Sequence, residues 1–242
     1  MFATPGSRTQ GYKPRGRYRY VRKIYSANGT YTWNAPRDLE PWTPVNITVL
    51  GAGASGGGVA TTASTCSTGG GGGGLALATL VGKLAAGQAI TITVGAGGAP
   101  PTAGANPGNA GSTSSFGSLV SATGGTAGGA GSTAAQAGSA GGTGSGGDLN
   151  ITGGKSRSSA VQNGASNTVE DGGDAPLGFG TGGKAPLTNA AGVAGVGSGS
   201  GGSGCAQPGA GGTARAGGAG ADGLVIVELW TADLNYMNSV NT

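Results

Sequence analysis

Glycine is the feature that most limits what this chain can fold into. The chain has 58 glycines among 242 residues, and six of them follow one another at Gly69–Gly74. Glycine adds no side chain to a hydrophobic core, and its backbone loses more conformational freedom on folding than that of any other residue. Side-chain burial therefore cannot hold the glycine-rich part of the molecule together, so order there must come from the backbone.

The rest of the composition favours an ordered chain over a disordered one. Only 9% of the residues are charged, whereas disordered chains are usually rich in charge, and the apolar β-formers are clustered in short runs. Extended polyglycine II-like segments have three residues per turn and leave their amides free to bond to neighbouring segments. We therefore expect a bundle of such segments. Collagen is excluded because glycine does not recur at every third position, as in "GGTAGGAGSTAAQAGSAGG" from Gly124.

The stretch "VNITVLGAGASGGG", residues 45–58, has the spacing of a dinucleotide-binding loop, with glycines at 51, 53 and 56. Such a loop needs a helix directly after it and a carboxylate about twenty residues further on. The following residues are threonine-rich and end in six glycines, and no acidic residue lies between Glu40 and Asp148. The sequence therefore predicts no nucleotide site, but a strand that passes into a glycine segment.

The strand pattern predicts a mainly β fold with little or no α-helix. Val45–Leu50 and Ala89–Val94 both alternate and both end in glycine, Asn28-Gly29 is a turn signal, and the run Leu224–Trp230 suits a strand buried on both faces. We expect one glycine-rich β domain over residues 28–231. Within it, a small antiparallel, sandwich-like framework (residues 28–94 and 223–230) carries a large glycine-rich insertion (residues 95–222), and a polar tail follows at 232–242.

Basic residues are concentrated at the N-terminus. Seven of the thirteen lie in the first 23 positions with no acid among them, while the other 219 residues carry 6 basic and 9 acidic groups. The alternation of "RYRYVRKIY" predicts a strand within a basic arm, residues 1–27, that anchors the chain to a neighbouring subunit. The anchoring residues are expected to be Arg15, Arg17, Tyr18, Arg19, Tyr20, Arg22 and Lys23. Binding of single-stranded nucleic acid by the arginines and stacked tyrosines, and a solvated tail, are the alternatives.

Catalytic chemistry has little support in the sequence. The chain has no histidine, which removes the serine–histidine–acid triad and the commonest metal ligand. The acidic cluster Glu170, Asp171 and Asp174 is a candidate calcium loop or a plain exposed turn. Cys66 and Cys205 either form a disulfide across a long loop or remain two buried thiols. We therefore expect neither enzymatic activity nor a cofactor.

The order of these parts resembles the glycine-rich domain of bacteriophage tail-fibre and other virion adhesin proteins. The resemblance rests on "GTYTWNAP", "VNITVLGAGASGGG", "LAAGQAITITVGAGG", "SSFGSLVSATGG", the "GGD" at Gly146–Asp148 and "GGAGADGLVIVELW". It covers roughly residues 28–231. In that family the domain is a non-enzymatic part of the host-attachment apparatus, in some members built of packed polyglycine-type helices with receptor-binding loops at the tip.

The resemblance implies a place on the outside of a virion. Expected partners are other virion proteins, reached through the N-terminal arm, and a host-surface glycan or protein met by loops containing Asp148, Asn150 and Phe179. A homotrimer is expected, made in the host cytoplasm without a signal peptide, because no apolar run follows the N-terminal charges. A structural or decoration protein without receptor binding, and a glycine-rich ice-binding protein, are the alternatives.

Overall fold

A computed structural model describes residues 18–61, 65–162, 166–168, 171–186, 189–207 and 212–232. Its regular structure is almost entirely β, with a single 3₁₀ turn at Pro176–Gly178 among the described residues. The strands are β1 (Tyr18–Tyr25), β2 (Gly29–Asn34), β3 (Val45–Leu50), β4 (Thr65–Cys66), β5 (Leu75–Leu80), β6 (Ala89–Val94), β7 (Ser114–Phe116), β8 (Val120–Ala122), β9 (Gly144–Ser145), β10 (Leu149–Ile151), β11 (Ala160–Gln162), β12 (Ser166–Thr168), β13 (Gly180–Thr181), β14 (Val196–Gly197), β15 (Ala206–Gln207) and β16 (Leu224–Ala232). The described part of the chain has no helix with the length and hydropathy needed to cross a bilayer.

Two antiparallel sheets form a sandwich. In the described residues the first sheet has the order β1-β16-β3-β5-β10 and the second β2-β6-β7-β8-β9, with short two-stranded ladders elsewhere. The turn predicted at Asn28-Gly29 separates β1 from β2, and Gly29 has a φ of +141°, a backbone conformation that favours glycine. The predicted mainly β, sandwich-like fold with little helix is therefore confirmed.

The core lies between the two sheets and follows the two-residue alternation of the strands. Its buried members include Trp33, Val45, Ile47, Val49, Ile90, Ile92, Phe116, Val225, Val227 and Leu229. Burying one large apolar side chain stabilises a fold by about 1.5–3 kcal/mol, so this layer is the main side-chain contribution to stability. The opposite face of β16 supplies Leu224 and Ile226 to a second cluster with Leu50 and Leu75. The run predicted to be buried on both faces is so buried from Leu224 to Val227, whereas on the outer face Glu228 is only partly buried and Trp230 is exposed.

The framework is larger than predicted at its N-terminal side. Residues 18–25 are not part of a separate arm: all eight pair with β16, from Tyr18 opposite Ala232 to Tyr25 opposite Val225. The pairing is possible because β16 is nine residues long. Val21 and Tyr25 pack against the core, and the Tyr25 ring lies 5.2 Å from that of Tyr31 in β2. Residues 18–25, which were predicted to lie in the arm, are therefore a strand of the first sheet.

Short strands interrupt the glycine segments of the insertion. Strands β7 to β9 belong to the second sheet and β10 pairs with β5 in the first, so residues 114–151 return to the framework several times. Strands β7 and β8 bury Phe116 and Val120, apolar side chains of a kind that the glycine segments lack. Glycine segments and framework strands therefore alternate along the chain, and residues 95–222 are not a single inserted body.

Residues 51–59, the exit from β3, form the centre of the glycine bundle. Every backbone N–H from Gly51 to Val59 donates to a carbonyl of another segment, at 2.9–3.1 Å. Residues 51, 54 and 57 donate to residues 74, 71 and 68, residues 52, 55 and 58 donate to residues 112, 109 and 106, and residues 53, 56 and 59 donate to residues 221, 218 and 215. Donors three residues apart thus reach the same neighbour, which is the periodicity of a helix with three residues per turn.

Carbonyl groups of the same segment accept from three further neighbours. The carbonyls of Ala52, Gly53 and Ala54 accept from the N–H groups of Gly125, Gly98 and Gly202. Six segments therefore surround the central one, and a backbone buried without side chains has its polar groups satisfied by other backbone. The predicted polyglycine II-like packing is present in the described residues.

Glycine is required in the bundle because neighbouring backbones touch. A Cβ atom added at Gly53 or at Gly56 would lie 1.9 Å from the carbonyl oxygen of Ser200 or of Ser203, respectively. Ala52 and Ala54, in the same segment, are fully buried and keep their methyl groups. The positions of the central segment thus differ in the space around them. Glycine occupies the positions at which there is no room for a Cβ atom.

The molecule has two poles. The central segment leaves the framework after Leu50 and extends from Gly51 to Val59, eight residue steps or about 25 Å at 3.1 Å per residue. We call the end around Val59, Asn106 and Arg215 the far end of the bundle. The proximal pole is the opposite end of the first sheet, where Tyr18 pairs with Ala232.

Candidate attachment surface

Exposed aromatic and apolar side chains form a patch on the outer face of the first sheet. The side chains of Tyr18, Trp230 and Tyr20 are 65%, 56% and 46% exposed, and Ile24 is 54% exposed. Tyr20 and Trp230 are opposite each other in the β1–β16 register, with ring centroids 5.2 Å apart. We call these four residues the aromatic patch. A monomeric protein rarely leaves such a cluster in contact with water unless it serves an interaction.

Strand alternation explains why the patch faces outward. Val21 and Tyr25 turn toward the core, so the even-numbered residues of β1 must lie on the opposite face. The sequence gives this grouping correctly, with Tyr18, Tyr20 and Ile24 on one face. The first sheet covers the core with its other face, and this part of the outer face has no layer above it among the described residues.

Glu228 connects the patch to the basic residues of β1. Its Oε1 atom accepts a hydrogen bond from the Tyr20 hydroxyl at 2.5 Å and lies 3.0 Å from Arg22 Nε. The hydrogen bond to Glu228 raises the pKa of Tyr20 above its ordinary value of 10.0, so the phenol remains protonated at neutral pH. Because Arg22 and Glu228 are directly opposite in the register, pairing of β1 with β16 itself builds this cluster.

The predicted anchoring residues divide into two groups. Arg15 and Arg17 lie outside the described residues. Five others are on β1: Tyr18, Arg19, Tyr20, Arg22 and Lys23. Arg19 and Lys23 share the face of Val21 but are exposed, and neither forms an ion pair with a described residue. The structure thus places two unpaired cations on one face of β1 and the aromatic patch on the other.

An open groove of about 320 Å³ adjoins the patch on the outer face. Its lining includes Asn46, Thr79, Asp148, Leu149 and Glu228. The Asp148 carboxylate accepts a hydrogen bond from the Thr79 N–H at 2.6 Å, and Asn46 accepts one from the Thr79 hydroxyl at 3.0 Å. These polar groups therefore hold β3, β5 and the start of β10 in place.

The residues predicted to face a receptor do not lie at the far end of the bundle. Asp148 is in the groove, and Asn150 closes a turn through hydrogen bonds with Gly147 at 2.9 and 3.2 Å. Phe179 packs against the second apolar cluster beneath the first sheet. Asp148 directly precedes β10 and Asn150 lies in it, and β10 pairs with β5 of the first sheet, whereas Phe179 directly precedes β13. That these residues face a receptor stays a prediction.

The far end has its own polar cluster, which the sequence did not reveal. Arg215 Nε donates to Asn189 Oδ1 at 2.7 Å, and Asn189 Nδ2 donates to Gln207 Oε1. The three residues are widely separated in a low-complexity region, so no local motif could have linked them. They join three neighbouring chain segments at the end of the bundle.

The acidic cluster is used for local structure. Asp171 Oδ2 lies 2.8 Å from Lys184 Nζ, its Oδ1 accepts from the Ala185 N–H at 2.8 Å, and Asp174 accepts from the Gly182 N–H at 2.7 Å. Partial burial alone would raise the pKa of Asp171, but the hydrogen bonds from Lys184 and Ala185 outweigh it and lower that pKa. Glu170 lies outside the described residues. No metal-binding group of three converges in the part of the chain that is described, so the two aspartates do not support the calcium hypothesis.

Both cysteines are buried thiols, so the alternative without a disulfide is the correct one. Cys66 pairs with Ala206 in the β4–β15 ladder, which places Cys205 opposite Ser67 and on the other face from Cys66. The Cys205 Sγ lies 3.6 Å from Ser67 Oγ. Burial raises the pKa of the Cys205 thiol and makes it a poor nucleophile.

The chain matches a known protein family. Residues 26–230 fit a family model described as a glycine-rich domain, and no curated protein matches the chain. The match begins directly after β1 and ends within β16. Strand β1, with its aromatic and basic residues, therefore lies outside the matched region and adds a strand to the edge of β16.

Proposed function

The chain belongs to the glycine-rich domain family, and we propose that it is a non-enzymatic bacteriophage virion protein that displays its glycine bundle toward the host. In this proposal the N-terminal region attaches the protein to the particle, and the far end of the bundle faces outward. We propose that it is a component of a tail fibre, a spike or a head fibre. One observation carries the proposal: β1 begins at the proximal pole, opposite the far end of the bundle.

This polarity supports attachment at one end and display at the other. The basic residues among positions 8–17 precede Tyr18 in the sequence, and Tyr18 and Trp230 are exposed at the proximal pole. The bundle extends away from them for about 25 Å beyond the framework. A protein attached by its N-terminal residues would thus present the loops near Asn106 and Arg215 to the surroundings.

The construction of the bundle supports a role in rigid display. Its central segment is fully buried, with backbone hydrogen bonds to six neighbours, so the segments cannot slide past one another without breaking buried bonds. The donors of this segment are satisfied within one chain. The trimer that we propose would therefore form through contacts between bundle surfaces, without exchange of central segments.

The surroundings of the acidic groups support binding over catalysis. Among the described residues, Glu228 bonds to Tyr20 and Arg22, Asp171 to Lys184, and Asp38 accepts from the Thr231 hydroxyl at 2.8 Å. Each of these carboxylates is thus bonded to a neighbouring side chain and helps to hold the fold together, whereas a catalytic carboxylate must be able to exchange a proton with a substrate.

Attachment is tested by replacing residues 2–17 with a glycine–serine segment of equal length, which removes four basic residues and leaves β1 unchanged. The matched control is the variant Lys155→Ser/Arg157→Ser, which removes two exposed cations from the bundle. Particles are purified by density gradient and the bound protein is measured by quantitative immunoblotting. We expect the first variant to be lost from particles and the control to be retained. Equal retention of both would refute attachment through the N-terminal residues.

A further inference from the structure

The outer edge of β1 is the longest strand edge that the described residues leave uncovered. One side of β1 is paired along all eight residues with β16, and no described strand pairs with the other side. The terminal strands β10 and β9 have three and two residues, and β2 has six. Resting on the proposed function, we infer that this edge receives an extended, acidic strand of another virion protein, which adds to the first sheet.

The backbone of β1 suits strand addition. Its sequence "YRYVRKIY" contains neither proline nor glycine, and its register with β16 advances one residue at a time without a bulge. Eight residues at about 3.4 Å each give an edge of about 27 Å. Proteins commonly protect such an edge with proline, a bulge or charge, and here only charge is used.

That charge determines the partner. Arg19 and Lys23 are exposed and have no ion-pair partner among the described residues, whereas Arg22 is already bonded to Glu228. A second copy of β1 would bring like charges together, which destabilises a strand pair, whereas acidic residues opposite Arg19 and Lys23 would stabilise it. The edge therefore selects an acidic strand and disfavours self-association.

The other face of β1, which carries Tyr20 and Ile24, predicts the remaining positions of the partner strand's sequence. Tyr20 and Ile24 are exposed, four residues apart, and offset by one position from Arg19 and Lys23. Directly paired residues in neighbouring strands share a face. The partner strand should thus alternate acidic residues, opposite the two cations, with apolar residues, opposite Tyr20 and Ile24.

Acidic groups around the aromatic patch argue for a protein strand over nucleic acid. Glu228 lies between Tyr20 and Arg22, and Asp38 and Glu40 line a small cavity of about 40 Å³ together with Tyr18 and Trp230. Three carboxylates on this surface would repel phosphates next to the rings on which bases would stack.

The test uses the full chain and blocked eight-residue peptides of alternating valine and glutamate. Two control peptides have lysine in place of glutamate, or N-methyl groups on alternate backbone nitrogens. Binding is followed by calorimetry and by hydrogen exchange of the β1 amides. We expect the glutamate peptide to bind at least about tenfold more tightly than either control, and to protect the β1 amides from exchange. Equal binding of the lysine or N-methylated peptide, or preferential binding of oligo(dT), would overturn the inference.

Charge reversal gives a second, independent measurement. Arg19→Glu/Lys23→Glu should reverse the preference and favour the lysine peptide, while Lys155→Glu, an exposed change in the bundle, should leave the preference unchanged. Circular dichroism establishes that each variant is folded. If virions take up Arg19→Glu/Lys23→Glu at the level of the unmodified protein but lose the variant with residues 2–17 replaced, the inference fails and the proposed function stands. If the unmodified protein is absent from the particle exterior, the proposed function itself fails.

Discussion

Replacing Gly53 with alanine places one methyl group where two backbones touch. The new Cβ would lie 1.9 Å from the carbonyl oxygen of Ser200, whereas ordinary contacts begin at 3.4 Å, so the segments must separate by about 1.5 Å (3.4 − 1.9). The Ser200 carbonyl accepts from the Ala221 N–H at 2.8 Å. Gly53 itself donates to Ala221 at 2.9 Å and accepts from Gly98 at 2.9 Å. The displacement thus breaks or weakens three buried hydrogen bonds.

The expected loss of stability follows from those bonds. A buried polar group left without its partner costs about 1–3 kcal/mol, and partial relaxation reduces the sum for the three bonds to about 3–6 kcal/mol. Domains of ordinary stability unfold with about 5–15 kcal/mol, so one methyl group would remove a large fraction of the total. For a chain of this length the melting temperature should fall by roughly 10–20 °C.

Two other glycines provide matched controls for this substitution. At Gly129 the three atoms nearest to an added Cβ all belong to the Gln136 and Thr68 side chains, at 2.9–3.5 Å, so alanine there would displace side chains rather than a neighbouring backbone. At Gly178 no atom lies within 4 Å of an added Cβ, but φ is +76°. The only cost of alanine there is the free energy of holding it in a left-handed backbone conformation, about 1–2 kcal/mol. Thermal melts followed by circular dichroism compare the three variants. If Gly53→Ala melted within a few degrees of Gly129→Ala, the bundle would not depend on backbone contact and the reasoning would be wrong.

Three further predictions concern titration and reactivity. Glu228→Gln should lower the pKa of Tyr20 toward its ordinary value, because the hydrogen bond to the carboxylate raises it; ultraviolet titration of tyrosinate measures the change, and no shift would exclude that hydrogen bond. The folded-state pKa of Asp171 is lowered, so its contribution to stability is present above the ordinary value of 3.8 and is lost as the pH falls through the folded value. Lys184→Ala should therefore weaken the acid dependence of the melting temperature below about pH 4, and an unchanged dependence would contradict this assignment. Because burial raises the pKa of Cys205, a thiol reagent should label it at neutral pH only after unfolding, and rapid labelling of the native protein would contradict its burial.

The strands that adjoin glycine were predictable because their apolar residues follow a short, regular period. Val45–Leu50, Ala89–Val94 and Leu224–Trp230 are all strands at those positions. What the sequence could not give is the neighbour of each glycine segment. Which segments become neighbours is determined by backbone hydrogen bonds, in which every third amide of one segment donates to carbonyls at distant positions of the chain. The identity of the side chains does not indicate these pairings.

The candidate site was only partly predictable for a similar reason. The basic and aromatic composition of β1 indicated an interaction surface, but its pairing with β16, which positions Glu228 between Tyr20 and Arg22, depends on a contact across 208 residues. The charge of β1 favours an arm, and its pairing with the framework could not be predicted from charge alone. In the structure Val21 and Tyr25 supply enough apolar contact to join the sheet.

Attachment at one pole and display at the other are tested most directly by a cryo-electron microscopy map of the intact virion, at a resolution that separates the two poles. We predict that the N-terminal residues and β1 contact the particle and that the far end, around Val59 and Arg215, points into solvent. A map in which the bundle faces inward, or in which the far end makes the contact with the particle while β1 is free, would contradict it.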